Sequence, residues 1–574
     1  MTPQDIRQNK LRLGDLLVKA GLVSDAQLQL ALQAQKRNGA KLGHSLIELG
    51  FVDELQLLTA LSEQLHIPFV ELKHFRFDNE LVQSLPEAVA RRFRVVLLAR
   101  EGGGVLVGMS DPLDLFALDE VERLLKTRVL PAVVREAELL LALDTMYRRT
   151  GQIASLAGEL EGELKDSDFD LSKLGTDNNN DAPVVRLLQT LFEDAVQMKA
   201  SDIHIEPDEG LVRIRQRIDG VLNEQVMKEA RIASALVMRL KIMSGLDISE
   251  KRLPQDGRFN IRVKNHAIDV RVSTMPVQFG ESVVMRLLDQ SNSVANLDAS
   301  GMPAEMLVRF RRLLQRPFGL VLVTGPTGSG KTTTLYAGLA ELNSPEKKII
   351  TVEDPVEYRM PRINQVQVNA KIDLSFSRVL RAALRQDPDI VLIGEIRDQE
   401  TAEIGLRAAM TGHLVLSTLH TNDALTSAMR LIDMGAEAFL VAAALNAVLA
   451  QRLVRRVCES CMQEHTPEPR QLLWLETLYG ASLDGRTFKR GSGCHHCHNS
   501  GYAGRVGVFE LLELDAAMIA ALRHNDPQGF ADAAKVSVGY RPLAACALDY
   551  ALAGVTSIEE VLKVCATLSD EGLA

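Results

Sequence analysis

Residues 319–342 read GLVLVTGPTGSGKTTTLYAGLAEL, and this stretch limits the possible folds more than any other. Its apolar, β-branched start requires a buried strand, and its end carries a helical run. Between them lies Gly325-x-x-x-x-Gly330-Lys331-Thr332. A strand-to-helix turn of this kind aims its backbone N–H groups at a polyphosphate. Gly325, Gly328 and Gly330 permit the close approach and positive φ that such a turn needs. Pro326, Thr327, Ser329 and Thr333 complete the candidate loop. Lys331 is placed to reach the β- and γ-phosphates, Thr332 offers a hydroxyl to Mg²⁺, and the helix N-terminus favours the anion. A chance glycine-rich turn would lack the strand before it and the helix after it. The segment predicts a nucleoside triphosphate site.

The same half of the chain alternates helical runs with short apolar ones: KKIITVED, DIVLIGE and HLVLSTLH. Strand–helix alternation predicts a parallel α/β core. DIVLIGEIRD puts Glu395 at a strand end, where a carboxylate can polarise an attacking water or hold Mg²⁺ through water. The competing reading is a strand-capping ion pair. TVEDPVEY places Glu353, Asp354 and Glu357 past another strand, suited to a metal's water shell. GHLVLSTLHTND carries His413 and His420 at its ends. His420 stands where strand meets loop and suits reading a γ-phosphate, although a lone histidine is more often structural.

The 574 residues imply several domains, and 46% hydrophobic content supplies their cores. A net charge of −10 and 4% aromatic residues oppose a nucleic-acid polymer as ligand. No uncharged apolar run reaches the 18–20 residues or so that span a bilayer. The nearest, FLVAAALNAVLA (439–450), reads as a packed helix. We expect a cytoplasmic protein that meets a membrane only through partners. Four segments follow: a mostly helical region over 1–150, an acidic flexible linker over 151–181, a strand-rich domain over 182–300, and the α/β core over 301–574. Within the first, RFRVVLLAREGGGVLVGM predicts two strands about a glycine turn. Within the third, VRIRQRID sets Arg213, Arg215 and Arg217 on one strand face, with Val212, Ile214 and Ile218 on the other. A solvated sheet face is the bland alternative.

Cys458-x-x-Cys461 and Cys494-x-x-Cys497 are two knuckles 32 residues apart. Four thiolates so spaced can close a tetrahedral Zn²⁺ site, within an insert at about 455–505. A disulfide is the weaker reading in the cytoplasm, and a redox use needs one pair only. At the other end of the chain a phrase occurs twice at an offset of 29 residues. Arg12, Leu13, Gly14, Leu17, Gly21, Leu28, Leu32 and Gln35 return as Lys41, Leu42, Gly43, Leu46, Gly50, Leu57, Leu61 and Gln64. Duplicated helical packing explains the leucines. Twin Leu-Gly pairs with a cation ahead and a glutamine behind suit a twofold-symmetric ligand with two phosphates.

The loop, TVEDPVEY, DIVLIGEIRD and GHLVLSTLHTND come in the order and spacing of the secretion ATPase superfamily of type II secretion and type IV pilus systems. ASDIHIEP and RLPQDGRF upstream resemble its preceding domain. The resemblance implies a RecA-like P-loop ATPase core behind an α+β, PAS-like domain, using ATP and Mg²⁺. It implies a homohexamer whose preceding domain lends arginines, here one or two of Arg213, Arg215 and Arg217, to a neighbour's nucleotide. Arg258 and Arg271 are weaker candidates. The tetracysteine insert resembles that of the family's assembly-type members. Implied partners are an inner-membrane platform protein and cytoplasmic assembly proteins, with the ring held peripherally at the inner membrane. The doubled phrase resembles the tandem motif of the MshEN domain, which binds cyclic di-GMP, and points to the MSHA-pilus branch.

Overall fold

A computed structural model describes residues 14, 17, 18, 20–38, 42–75, 77–112, 114–147, 150–165, 182–263, 266–289, 296–479, 482, 483 and 485–569. The C-terminal half is built on a seven-stranded sheet ordered β12-β11-β13-β14-β10-β15-β18. Its strands are β10 Gly319–Thr324, β11 Ile349–Glu353, β12 Ile363–Gln367, β13 Ile390–Ile393, β14 Leu414–Leu419, β15 Leu445–Val457 and β18 Tyr502–Glu513. Pairing is parallel except between β15 and β18. Every residue of β10, β11, β13 and β14 is buried, as the continuous apolar runs require when helices cover both sheet faces. One core lies on each face, the first including Leu320, Leu322, Val415 and Phe530, the second Val321, Val323, Tyr336 and Leu416.

FLVAAALNAVLA is not one helix. A helix over Ala438–Ala444 gives way at Leu445 to β15, which pairs with β10 on one side and β18 on the other. Two sheet neighbours outweigh local helix propensity. Asn446 fits the strand's start by donating to Phe318 O at 2.9 Å and accepting from Arg316 at 2.9 Å.

The preceding domain is an antiparallel six-stranded sheet ordered β6-β5-β4-β9-β8-β7. The strands are β4 Asp202–Asp208, β5 Leu211–Ile218, β6 Val221–Met227, β7 Gln255–Val263, β8 His266–Val277 and β9 Gly280–Asp289. Val212 and Ile214 are buried in β5 while Arg213, Arg215 and Arg217 are half-exposed, the alternation expected. The expected linker is partly helix. Thr150–Lys165 forms a helix whose Ile153, Ala157 and Leu160 enter this domain's core beside Leu187 and Leu191 of helix Pro183–Gln197. The apolar positions four and three apart make one helix face, hidden among glycines and glutamates. The rest of that linker, 166–181, lies outside the described residues.

The N-terminal region is mostly helical, as expected, around a small sheet. β1 Val95–Glu101 and β2 Gly104–Met109 flank the foreseen glycine turn, and β3 Val129–Val133 adds a parallel third strand. No helix among the described residues is long and apolar enough to cross a membrane.

One buried acid links these layers. Glu510, in β18, accepts hydrogen bonds from Ala424 N at 3.2 Å, Leu543 N at 2.9 Å and the Tyr540 hydroxyl at 2.8 Å. Burial pushes its carboxyl up to about 7, aided by Asp423 nearby. A folded-state value above the ordinary 4.5 means the folded chain holds an extra proton in between, so stability falls as pH rises through this window. Glu510→Gln should remove the dependence. In urea denaturation the difference between variant and wild type should shift by ~2–3 kcal/mol between about pH 5 and about pH 8.

Candidate functional site

The carboxyl ends of the parallel strands form the floor of a cleft of about 780 Å³, roofed by the preceding domain. Such strand ends are where open α/β sheets bind ligands. The backbone at Gly325, Gly328 and Gly330 has φ of +145°, +80° and +89°. At Gly325 a Cβ would stand 2.4 Å from Gln451 O, and at Gly330 one would stand 2.8 Å from Gln451 Nε2. Only glycine fits either place. Lys331 opens helix Lys331–Leu342, and its Nζ donates to Gly325 O at 2.7 Å and Pro326 O at 3.0 Å. Burial brings its ammonium down to about 8, Arg452 adding and Glu395 opposing. A partly desolvated cation over a ring of amides attracts phosphate strongly. Thr327, Ser329, Thr332 and Thr333 line the same space.

Glu395 follows β13. Gly394 before it packs on the end of β11, where a Cβ would lie 3.1 Å from Val352 O. Its carboxylate pairs with Arg397 and lies 3.4 Å from His420 Nε2. Glu395 thus makes an ion pair and also lines the cleft. Burial and the Lys331 charge hold His420 below its ordinary value, against the pull of Glu395. The imidazole is thus neutral at neutral pH. His413, by contrast, immediately precedes β14 and bonds Ala408 O at 2.9 Å. It finishes a helix at the sheet's other end.

The three acids at and beyond the end of β11 divide. Glu353 borders the cleft, but it is buried and bonded by Tyr336, Thr351 and Gln365. Burial raises its carboxyl above the usual range. That engagement fixes it beneath the loop, at the border of the cleft. Glu357 faces the cleft and pairs with Arg271 at 2.7 Å, tying β8 to the core. Arg397 reaches toward Asp354 at 3.8 Å.

The arginines of β5 also divide. Arg213 is held by Asp208 at 2.8 Å and Glu224 at 3.3 Å, and Arg215 by Glu206 at 2.5 Å. Arg217 lines the cleft with Arg286 and Arg505. Asp202, almost buried, sits between Arg217 at 3.7 Å and Arg286 at 3.0 Å. Arg258 pairs with Asp269. Sequence reading missed Arg286 and Arg505. Arg286 reaches the cleft through the register of β9 on β4, which sets it opposite Asp202, a tertiary fact with no local signal.

The four cysteines converge, their sulfurs all within 4.8 Å of one another. Cys458–Cys494 measures 3.8 Å, Cys461–Cys497 3.7 Å and Cys494–Cys497 3.7 Å. A tetrahedron with metal–sulfur bonds of about 2.3 Å has edges of about 3.8 Å, so the set fits such an ion. Between the knuckles lie β16 Met462–His465, helix Pro469–Tyr479 and β17 Phe488–Gly491, which account for the long spacing.

The doubled N-terminal phrase is doubled in space. Gly21 N bonds Val18 O at 3.0 Å and Leu22 N bonds Leu17 O at 3.1 Å. Gly50 N and Phe51 N repeat this on Ile47 O and Leu46 O at 2.9 and 3.0 Å. Gly21 and Gly50 share φ of +69° and +68°, the left-handed stop of a helix. Ser24 with Gln27, then Asp53 with Gln56, form equivalent capping boxes before helices Asp25–Asn38 and Glu54–Leu65. The S/D-x-x-Q signature was there to be read. Leu17, Leu28, Leu46 and Leu57 are buried in one core, with Leu32 and Leu42 packed against it. These leucines build the twin scaffold, the packing use that the sequence allowed for them. A Cβ at Gly14 would meet Leu28 at 2.7 Å, so this glycine permits packing. Gly21 and Gly50 are exposed, and Gln35 and Gly43 half-exposed. Arg12, Leu13 and Lys41, with the side chains of Leu61 and Gln64, lie outside the described residues.

A parallel sheet carrying a glycine loop, an invading lysine and a strand-end glutamate defines a RecA-like P-loop ATPase. Residues 177–563 match the family described as type II/IV secretion system protein. The chain belongs to that family. Residues 65–153 match the MshEN domain, a span that begins after the doubled phrase. The chain is 41% identical over 559 residues to the type IV pilus assembly ATPase PilB of Myxococcus xanthus, covering 96% of this chain and 98% of that protein. It is 43% identical over 494 residues to the type II secretion system ATPase E of Vibrio cholerae, covering 85% and 97%. The X-ray structure of the Legionella pneumophila ATPase DotB shares the fold at 20% identity, with a TM-score of 0.50 over 67% of this chain and 96% of that one.

Proposed function

We propose that this ATPase is a homohexameric motor that assembles a type IV pilus of the MSHA kind under control of cyclic di-GMP. The observation that carries the pilus reading is coverage. The pilus assembly relative aligns over 96% of the chain, N-terminal region included, against 85% for the type II secretion relative. Slightly higher identity to the latter, 43% against 41%, favours a second reading, a secretion motor driving a pseudopilus. In either, the ring works in the cytoplasm against an inner-membrane platform protein and cytoplasmic assembly partners.

In the proposed division of labour, residues 325–333 hold ATP, with Lys331 on its phosphates and Thr332 on Mg²⁺. Glu395 orients the attacking water, His420 reads the γ-phosphate, and Glu357 supports the metal's surroundings. Arg217 is the arginine of β5 best placed to meet phosphate charge, because it lines the cleft while Arg213 and Arg215 are engaged by acids outside it. Domains run over 1–150, 182–300 and 301–574, with the helix 150–165 attached to the second. The tetracysteine cluster holds Zn²⁺ structurally. Metal analysis should find one zinc per chain, and Cys458→Ser with Cys494→Ser should release it and lower the melting temperature. An unchanged zinc content would contradict the assignment.

The repeat carries the regulatory reading. Equivalent caps and turns at a 29-residue offset present two like surfaces to a dimeric nucleotide with two phosphates. Calorimetry of the full chain should show cyclic di-GMP binding that Arg12→Ala weakens at least about tenfold, the loss expected of one charge-assisted phosphate contact. Lys331→Ala should leave that affinity unchanged. Binding lost equally in both variants would remove the two-site reading.

A further inference from the structure

We propose that Arg452 is a positioning residue for ATP hydrolysis: it fixes the loop that carries His420 to the back of the phosphate-binding loop. This rests on the reading of His420 and Glu395 given above. Arg452 lies in β15, the neighbour of β10, and is 6% exposed. Its Nη2 donates to both oxygens that Asn422 offers, the carbonyl at 2.8 Å and Oδ1 at 2.7 Å. Its Nη1 donates to Gln451 O at 3.2 Å and stands 3.2 Å from where a Cβ of Gly325 would be. One guanidinium thus stands behind the first glycine turn of the phosphate loop, filling the space a side chain at Gly325 would need, and binds a residue two places from His420.

Neighbouring bonds make the connection stiff. Gln451 Oε1 accepts from Thr334 Oγ1 at 2.8 Å, in the first turn of the helix behind Lys331. Ser427 Oγ donates to Asp423 O at 2.5 Å and lies 3.2 Å from Thr324 Oγ1 at the end of β10. Residues 422 and 423 are therefore held to β10 and β15 from two sides, and His420 rides on that support toward Glu395. A shift of Gly325 when phosphate enters has a direct mechanical path through Arg452 to Asn422. Arg452 itself has no place in the cleft lining, so its effect falls on the chemical step. The guanidinium matters because Nη2 holds Asn422 while Nη1 holds Gln451 O; the single nitrogen of an ammonium cannot occupy both places.

Steady-state kinetics with MgATP and equilibrium ATP binding, on the full chain, test this. Arg452→Gln and Arg452→Lys should each lower kcat at least about tenfold, about the effect of losing one pair of charge-assisted bonds. ATP affinity should stay within about threefold, and the melting temperature should be unchanged. Asn422→Ala should lose kcat in the same sense, and combining it with Arg452→Lys should cost no more than Arg452→Lys alone. Should the Arg452 variants not fold, Asn422→Ala decides the matter by itself. Full activity in Arg452→Lys or in Asn422→Ala would overturn the proposal, as would additive losses or a fall in ATP affinity matching the fall in kcat. His420→Ala separates the layers. Wild-type kcat there refutes the role of His420 itself, whereas impaired His420→Ala beside unimpaired Arg452 variants refutes only the tether.

Discussion

Lys331→Ala is expected to reduce ATP turnover by on the order of 10²–10³-fold and to weaken ATP binding, with the fold intact. Lys331 is the cation that the loop holds among its own carbonyls, 2.7 Å from Gly325 O and 3.0 Å from Pro326 O. Its ammonium is already partly stripped of water, with its proton affinity lowered to about 8. Approaching phosphate therefore meets a cation whose desolvation cost is largely met in folding, and the interaction is stronger than in open water. Removing the side chain leaves the glycine turn, the helix and the core behind Tyr336 in place. Phosphate release and fluorescent-nucleotide titration check both halves, and cyclic di-GMP affinity serves as the control for folding of the distant domain.

Glu395→Gln has the opposite signature, with ATP bound nearly as in wild type and turnover lost by on the order of 10²–10⁴-fold. The carboxylate is fixed by Arg397 on one oxygen and approached by His420 at 3.4 Å on the other. An amide of the same shape keeps the packing at the end of β13 but cannot draw a proton from water. Glutamate at this point is distinguished from a merely structural ion pair by that separation. A structural pair would give loss of stability with proportionate loss of binding. A water-orienting group gives trapped, unhydrolysed ATP.

Much of this site was legible because its parts are local. A glycine loop between strand and helix, strand-end acids and paired cysteines are patterns within a few residues, and the chain places them where the patterns indicate. What stayed hidden is tertiary. Arg286 joins the cleft only through the pairing of β9 with β4, and Arg452 comes to lie behind the phosphate loop only because β15 lies beside β10. The run around Asn446 looked helical because burial on both sides of a strand erases the two-residue alternation. Repetition alone does not say which face of the doubled phrase is turned inward. Leu17 and Leu46 are 1% and 0% exposed, so repetition there preserves a packing unit, and the capping boxes before each longer helix say the same.

The central claim is that the loop around Lys331 holds ATP which Glu395 helps to split. Orthophosphate release and bound nucleotide, measured together on the purified full chain with Mg²⁺ and saturating ATP, test it most directly. Steady release is expected from the wild type, and ATP retained without release from Glu395→Gln. Undiminished release by that variant, or none by the wild type with magnesium supplied, would contradict it.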